Sequence, residues 1–373
     1  MSKLCVFCAN VCIFVKVIVS KMAKKRVTIT DIANEMGITP STVSRALAGN
    51  ERVSSKTRAE VIRVATGMGY QPNILAASLR KGTSDTVGMM VPRINRHFFS
   101  HVISGVEAIL NPAGFSLLIS QTHEREEDEH KAVHTLLRNR VSAIIVSHSV
   151  ETRNFDHYDK IVSEGIPLVQ FDRVTETIAG PRIVNDNFLG ALRSTRHLIR
   201  NNCRRIAHFA GSLHVNVYRE RFEGYKYALQ QNGIDFDPGL LVENCILQET
   251  GGDAAEELYR AGKIDAIFAA SDFSALGALR RLKRMGVAIP EEIKISGFAN
   301  EPFAALVDPG LTSVEQNAFE MGNQVARAII NNIGRDDFVN EEIHIPVRLI
   351  PRSSSLTTGA TISIQDSEFN SNL

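Results

Sequence analysis

The chain has little of several things, and each shortage excludes a class. Cysteine occurs five times in 373 residues, far too sparsely for a disulfide-built secreted scaffold. Glycine, at 25 residues, is nowhere near the one-in-three of a collagen repeat. A disordered chain is poor in hydrophobic residues, yet 44% are hydrophobic here and 22% charged, close to a globular average. Catalytic signatures are missing as well. There is no G-x-S-x-G, H-E-x-x-H, Walker A or strand-borne G-x-G-x-x-G, so no enzyme, catalytic residue or cofactor is expected. The net charge is only +1, which taken alone argues against a nucleic-acid partner.

That last exclusion fails once the charge is divided along the chain. Residues 22–83 hold ten Lys and Arg against four Asp and Glu, a balance of +6 in 62 residues. Residues 1–21 add +3 and the remaining 290 carry −8. A compact basic head on a long, mildly acidic body is an electrostatic footprint for a polyanion. The length leaves room for two or three domains.

Residues 1–21, MSKLCVFCANVCIFVKVIVSK, are apolar and hold Cys5, Cys8 and Cys12. Asn10 and Lys16 interrupt the run and no A-x-A cleavage site follows, which argues against a signal peptide. About 16 apolar or neutral residues separate Lys3 from Lys21, against the roughly 20 that a membrane span needs. The expected start of the functional chain is Met22, with a weak membrane anchor as the alternative; no stable membrane association is expected. Cys5-x-x-Cys8 lacks a second ligand pair, so no zinc site is expected. Cys203 and Cys245 are expected to be reduced core residues of a cytoplasmic protein.

Residues 27–49, VTITDIANEMGITPSTVSRALAG, have helix-turn-helix spacing. Thr30 is the expected N-cap of the first helix, with Asp31 at its positive dipole end. Ile32, Ala33 and Met36 form an apolar face, and Gly37 supplies a turn that requires positive φ. Thr39 caps the second helix and Pro40 occupies its first position. Val43, Ala46 and Leu47 form the buried stripe. Pro40, Ser41, Thr42, Ser44 and Arg45 then face outward, as small hydroxyls and one Arg at the front of a helix that enters a major groove. A third helix is predicted from about Ser55 to Met68, capped by Ser54 or Ser55 and closed by Gly69. Any three-helix bundle could share this spacing.

From Asp85 onward, apolar runs of strand length alternate with helical stretches. TVGMMV, FSLLIS, AIIVS and PLVQF form one set near residues 86, 115, 143 and 167; RIAHFAG, AIFAAS and KISGFA form a second near 205, 266 and 294. Continuous apolar strands separated by helices predict parallel sheets covered on both faces. The doubled pattern predicts an α/β body of two Rossmann-like lobes with a cleft between them, and a ligand beyond the carboxyl ends of the strands. His130 and His134 share a helix face at i, i+4, but the stretch THEREEDEHKAVH is read as a solvated charged helix, and no metal site is assigned.

Three ordered stretches, TITDIANEMGITPSTVSRAL, GYQPNILAASLRKG and TVGMMVP, resemble the lactose-repressor (LacI) family of bacterial regulators, and the resemblance runs to about residue 352. It implies a helix-turn-helix head over 22–72, a hinge helix or linker over 73–83, and a two-lobed periplasmic-binding-protein-like body over 84–352 that binds an effector and dimerises. It also implies that Leu79 wedges between bases in the minor groove, with Ala76 one turn earlier; such a wedge kinks the duplex at a cost of a few kcal/mol. Thr28 and Asn50, flanking the two helices, and Asn73 complete the expected DNA-contacting set. The hinge is too short to be stable alone, so it is expected to fold only with DNA and the dimer partner present.

In the body, the resemblance directs attention to Phe98 or Phe99 as a stacking residue, with the other in the core. Asp172 and Arg173 end the PLVQF strand, Arg221 is directed at the effector, and Ser271 and Gln316 line its site, with Asp272 as a helix cap. Many relatives carry an aspartate after the Gly-aromatic pair ending the last strand; Gly297-Phe298-Ala299-Asn300 has none, so Asn300 or Glu301 is expected to substitute. Residues 353–373 are a polar tail without leucine heptads, so a dimer is expected. The function implied is a DNA-binding transcriptional regulator, a repressor on a pseudo-palindromic operator, controlled by a sugar or sugar derivative. The alternative is a solute-binding protein on the same lobes, which a credible signal peptide and no basic head would favour.

Overall fold

A computed structural model of the chain describes residues 27–70, 84–335 and 340–356. The chain divides into two compact units, with the boundary at residues 82/83. The N-terminal unit holds three helices, α1 (Ile29–Met36), α2 (Pro40–Leu47) and α3 (Ser55–Gly67). The N-cap of α1 is Thr28, not Thr30. Asp31 sits three residues on and closes a capping box: Thr28 Oγ1 accepts from the Asp31 N–H at 3.3 Å, and Asp31 Oδ2 accepts from the Thr28 N–H at 2.8 Å. This reciprocal pair satisfies two amide donors that a Thr30 start would have left open. Gly37, at φ 61°, turns the chain. Thr39 caps α2 with Pro40 at its first position, and Ser54 caps α3. Ile32, Ala33, Val43, Ala46, Val61 and Ala65 form the core of this unit. The expected hinge with Asn73, Ala76 and Leu79 lies outside the described residues, as do the leader and most of the tail.

The C-terminal unit has two six-stranded sheets. The first half of the chain supplies β1 (Thr86–Val91), α4 (His97–Leu110), β2 (Ser116–Gln121), α5 (Glu126–Arg138), β3 (Ala143–Val146), α6 (Asp159–Ser163), β4 (Leu168–Phe171) and β5 (Arg182–Asn185). There follow α7 (Asn187–Arg200), β6 (Ile206–Phe209), α8 (Asn216–Gln231), β7 (Leu241–Val242), α9 (Gln248–Arg260), β8 (Ala266–Ala269), α10 (Asp272–Arg284) and β9 (Lys294–Phe298). Last come β10 (Thr312–Glu315), α11 (Ala318–Asn332), β11 (Glu342–Ile345) and β12 (Arg348–Ile350). Sheet order is β11-β5-β4-β3-β1-β2 in lobe one and β12-β10-β9-β8-β6-β7 in lobe two. Among the described residues all strand pairings are parallel except β10 with β12.

All seven strands expected from the apolar runs form. The sequence pattern missed β5, β7, β10, β11 and β12, which are short or polar. These strands close the two sheets, and they also show how the lobes are joined. The chain passes from lobe one to lobe two after β5, returns after β10 so that α11 covers the first sheet, and passes back between β11 and β12. Three crossovers at one edge make a natural pivot. Lobe one is tightened where α4 meets α11: a Cβ on Gly105 would fall 2.2 Å from the Phe319 carbonyl oxygen, and one on Gly322 would fall 2.2 Å from that of Val102. Only glycine at both sites lets the backbones touch. Cys203 and Cys245 are buried and free, with thiols pushed up by burial to about 12 and about 11.

Candidate functional site

In the N-terminal unit the front of α2 is presented to solvent. Pro40, Ser41 and Arg45 are exposed, and Thr42 and Ser44 are half-buried. The Ser41 and Thr42 hydroxyls both lie on Thr39 Oγ1, at 2.8 and 2.9 Å, so the cap also orients the hydroxyl row. Asn50 is exposed in the turn after α2, where Arg58 donates to the carbonyls of Gly49 and Asn50 at 3.0 and 2.9 Å. Thr28 is exposed but committed to the capping box.

Between the lobes of the C-terminal unit lies a cavity of about 280 Å³, lined by residues at the carboxyl ends of strands in both sheets. Seven of the eight body residues singled out from the sequence are on its wall: Phe98, Phe99, Asp172, Arg173, Arg221, Ser271 and Gln316. The two phenylalanines are not divided between wall and core, because both line the cavity while belonging to the lobe-one core. Phe99 stacks edge-on against Phe171 at 6.2 Å between ring centroids.

Asn300 is the exception. Its amide donates to Glu315 Oε2 at 2.7 Å and its oxygen accepts from Arg352 Nη2 at 2.7 Å. Those bonds turn it away from the wall, where Ala299 and Glu301 stand instead. The expected roles of Ser271 and Asp272 also change. Ser271 is the N-cap of α10, accepting from the Phe273 N–H at 3.3 Å. Asp272 is fully buried behind it, holding the Glu301 N–H at 2.8 Å and the Ser313 hydroxyl at 2.7 Å. Burial pushes the Asp272 carboxyl up to about 7.

The two arginines chosen from the sequence are held differently. Arg173 forks onto Glu124, Nη1 to Oε2 at 2.5 Å and Nη2 to Oε1 at 3.2 Å, with Arg93 a further 3.5 Å from Oε1. Burial opposes ionisation of Glu124, but the Arg173 guanidinium outweighs it and holds the carboxyl below its ordinary range. Arg221 has neutral partners: Nε donates to Asn187 Oδ1 at 2.9 Å, Nη1 to the Ala270 carbonyl at 2.8 Å, and the guanidinium lies 3.7 Å over the Phe298 ring. Burial lowers its affinity for its proton, although it stays ionised. Between them Asp172 sits at φ 58°, in the left-handed region that Asp tolerates better than most residues with a side chain; burial raises its carboxyl.

Gln316 occupies the pivot. It exchanges amide hydrogen bonds with Asn185, Nε2 to Oδ1 at 3.0 Å and Asn185 Nδ2 to the Gln316 carbonyl at 2.7 Å, and Asn185 also reaches the Ile345 carbonyl at 3.4 Å. Residues 185 and 345 end β5 and β11 and residue 316 follows β10, each just before one of the three crossovers, so one buried amide pair ties all three to the cavity wall. Arg93, Arg96, Glu124, Tyr218 and Phe273 also line the cavity and were not singled out. All but Tyr218, which lies in the first turn of α8, follow a strand end by two to five residues, which is the signal that could have found them.

The charged-helix reading of α5 needs one correction. His123, His130 and His134 are exposed, but Glu129 is fully buried, accepting from the Ser149 N–H at 2.7 Å and meeting His157 Nε2 at 3.0 Å. No group of three or more His, Cys, Asp or Glu that could hold a metal occurs among the described residues. No helix among them is long and apolar enough to cross a membrane.

Residues 28–73 match the model of bacterial regulatory proteins of the lacI family, and residues 195–355 match a periplasmic binding protein-like domain. The ribose operon repressor of Halalkalibacterium halodurans is 30% identical over 335 residues, covering 88% of this chain and 97% of that protein. A solved structure of a transcriptional regulator, CelR, in complex with cellobiose superposes with a TM-score of 0.67 at 28% identity, covering 88% of this chain and all of that one. The fold is also that of a lac repressor dimer bound to operator and an anti-inducer, with a TM-score of 0.79 at 24% identity over 89% of this chain and all of that one.

Proposed function

The chain belongs to the LacI family of bacterial regulatory proteins, whose members are DNA-binding transcription regulators and not enzymes, and from that premise we propose that it is a cytoplasmic repressor released from or driven onto its operator by a sugar or sugar derivative. The observation that carries the proposal is the interlobe cavity, walled at the carboxyl ends of both sheets and tied through Gln316 and Asn185 to the pivot. A ligand that bridges the lobes changes how they sit about that pivot. The relatives named above supply the ligand class, since one is a ribose operon repressor and another holds cellobiose.

In this reading residues 22–72 dock on DNA, 73–83 form the hinge, and 84–352 sense the effector and dimerise. Two α2 helices of a homodimer enter successive major grooves of a pseudo-palindrome through Pro40, Ser41, Thr42, Ser44 and Arg45, with Thr28 and Asn50 beside them. Asn73, Ala76 and Leu79 act in the minor groove between the half-sites. Phe98, Phe99, Asp172, Arg173, Arg221, Ser271 and Gln316 hold the effector. By reciprocity, DNA changes effector affinity by the same factor by which effector changes DNA affinity.

The test is a pair of binding measurements. Arg45→Ala and Leu79→Ala are expected to weaken binding to the natural operator by roughly tenfold or more each, the usual scale of 1–3 kcal/mol for a specific contact. Arg221→Ala is expected to abolish the effector's influence on operator binding. Wild-type operator affinity in both Arg45→Ala and Leu79→Ala, or an unchanged effector midpoint in Arg221→Ala, would overturn the respective half of the reading.

A further inference from the structure

We infer that the effector is an anion, a sugar derivative bearing a carboxylate or a phosphate, and that Arg221 receives its charged group. The inference rests on the sugar-sensing reading above and narrows it. Four guanidiniums line the cavity, those of Arg93, Arg96, Arg173 and Arg221, against three carboxylates, those of Glu124, Asp172 and Glu301. Two of the three acidic side chains are engaged. Glu124 is forked by Arg173 and approached by Arg93. Glu301 reaches across the cleft to the His97 N–H and the Arg96 charge. The third, Asp172, stands in the fields of both Arg173 and Arg221 but makes no hydrogen bond through its carboxylate among the described residues.

Arg96 and Arg221 are the two cavity cations with no carboxylate within ion-pair distance; Arg96 stacks on the Phe273 ring, and Arg221 feels Asp172 and Glu220 only through space. Only 6% of Arg221 is exposed, and its bonds go to an amide oxygen, a backbone carbonyl and a ring face. Its Nη2 has no acceptor among the described residues. A buried guanidinium is stable when a carboxylate or phosphate completes its fork. The helix ends reinforce the sign. The first turns of α4, α8 and α10 all contribute to the wall, through Phe98 and Phe99, Val217 and Tyr218, and Ser271 and Phe273. A helix N-terminus carries about half a positive charge, and the ends of α4 and α8 lack side-chain caps. Ala299, just past the end of β9, stands on the wall, so the anion meets no carboxylate from that position. Asp172, with no side-chain hydrogen bond among the described residues, remains to take sugar hydroxyls.

The experiment compares matched ligands on the purified full-length protein by calorimetric titration: glucose against gluconate and glucose 6-phosphate, galactose against galacturonate, ribose against ribose 5-phosphate. At least one acid or phosphate is expected to bind about tenfold or more tightly than its neutral parent, as charge-assisted bonds require. Whether the acids or the phosphates gain decides between the two anionic groups. Arg221→Lys, which keeps the charge, is expected to retain the preference, and Arg221→Gln to erase it. A neutral sugar that binds as tightly as its acid and its phosphate, with affinity lost in Arg221→Gln, would leave sugar sensing intact and sink the charge assignment. If no sugar, acid or phosphate of the panel binds, sugar sensing falls and the charge assignment with it. Should Arg221→Gln not fold, the matched pairs on the wild-type protein still decide.

Discussion

Two arginines, Arg45 in the N-terminal unit and Arg221 in the C-terminal one, show how differently the regions use the same side chain. Arg45 is exposed on a two-turn helix and faces solvent because its neighbours at i−2 and i+1, Val43 and Ala46, are buried. Arg221 is buried, and its position is set by Asn187, Ala270 and Phe298, from three elements spread over more than 100 residues of sequence. A surface that scans DNA needs side chains whose place is fixed locally and whose heads are free. A cavity that discriminates a small ligand needs side chains whose heads are fixed by the whole fold. Damage to the two regions should therefore differ in size and in reach.

The largest expected effect is in the body. Glu124→Ala leaves Arg173 buried without its fork partner, and removing one member of a buried pair costs about 3–5 kcal/mol. Hydrogen exchange resolved by peptide should show loss of protection across both lobes and none in residues 27–70. Protection unchanged in the body would mean that Arg173 finds other solvation and that the pair is not a structural tie.

A second contrast is in pH. His208 is fully buried, stacked between Tyr225 and Phe268, and burial pushes it down to about 4; His197, in contact with Ser355, is also pushed down to about 4 by burial. Both folded values lie below the ordinary histidine value of about 6.5. In the interval between, the unfolded chain binds the proton and the folded chain does not. Body stability is therefore expected to be full above about pH 6.5 and to fall toward pH 4, by about 3 kcal/mol for His208. His208→Phe, a stacking replacement, should flatten much of that slope in a denaturant titration series. The described residues of the head include no histidine, so its exchange protection should not follow the same curve. A body whose stability is flat from pH 7 to 4 would remove the contrast.

How much of each region could be read from sequence follows the same division. In the head, caps, turn and buried stripe lie within a few residues of one another, and the three helices fall where the spacing puts them. The cap differs, Thr28 for Thr30, because the Thr28-x-x-Asp31 pair satisfies two amide donors and a lone Thr30 only one. In the body, apolar runs announced the central strands, but β5, β10 and β11 owe their existence to neighbours far along the chain: Ile343 lies beside Ile183 and Ser313 beside Gly297. The cavity wall shows the same limit. Strand ends pointed to Asp172, Arg173 and Ser271, whereas nothing near Glu124 reveals that Arg173, 49 residues on, will fork onto it. Of the expected pair Asn300 or Glu301, Glu301 reaches the wall and Asn300 does not, because Arg352, which holds it, belongs to the last described segment of the fold.

The smallest expected effect lies in the head and separates cap from contact. Thr28→Ala removes the acceptor for the Asp31 N–H, and loss of such a cap costs about 1 kcal/mol. That is a large fraction of what a three-helix unit of this size can hold, so exchange protection of α1 and α2 should fall while the body is untouched. Thr28→Ser keeps the hydroxyl and should restore protection. If Thr28 serves only as the cap, operator affinity should track α1 protection through both variants, down in Ala and back in Ser. If its side chain also touches DNA, Ser should restore protection while affinity stays low, because the lost methyl group belongs to the contact and not to the box.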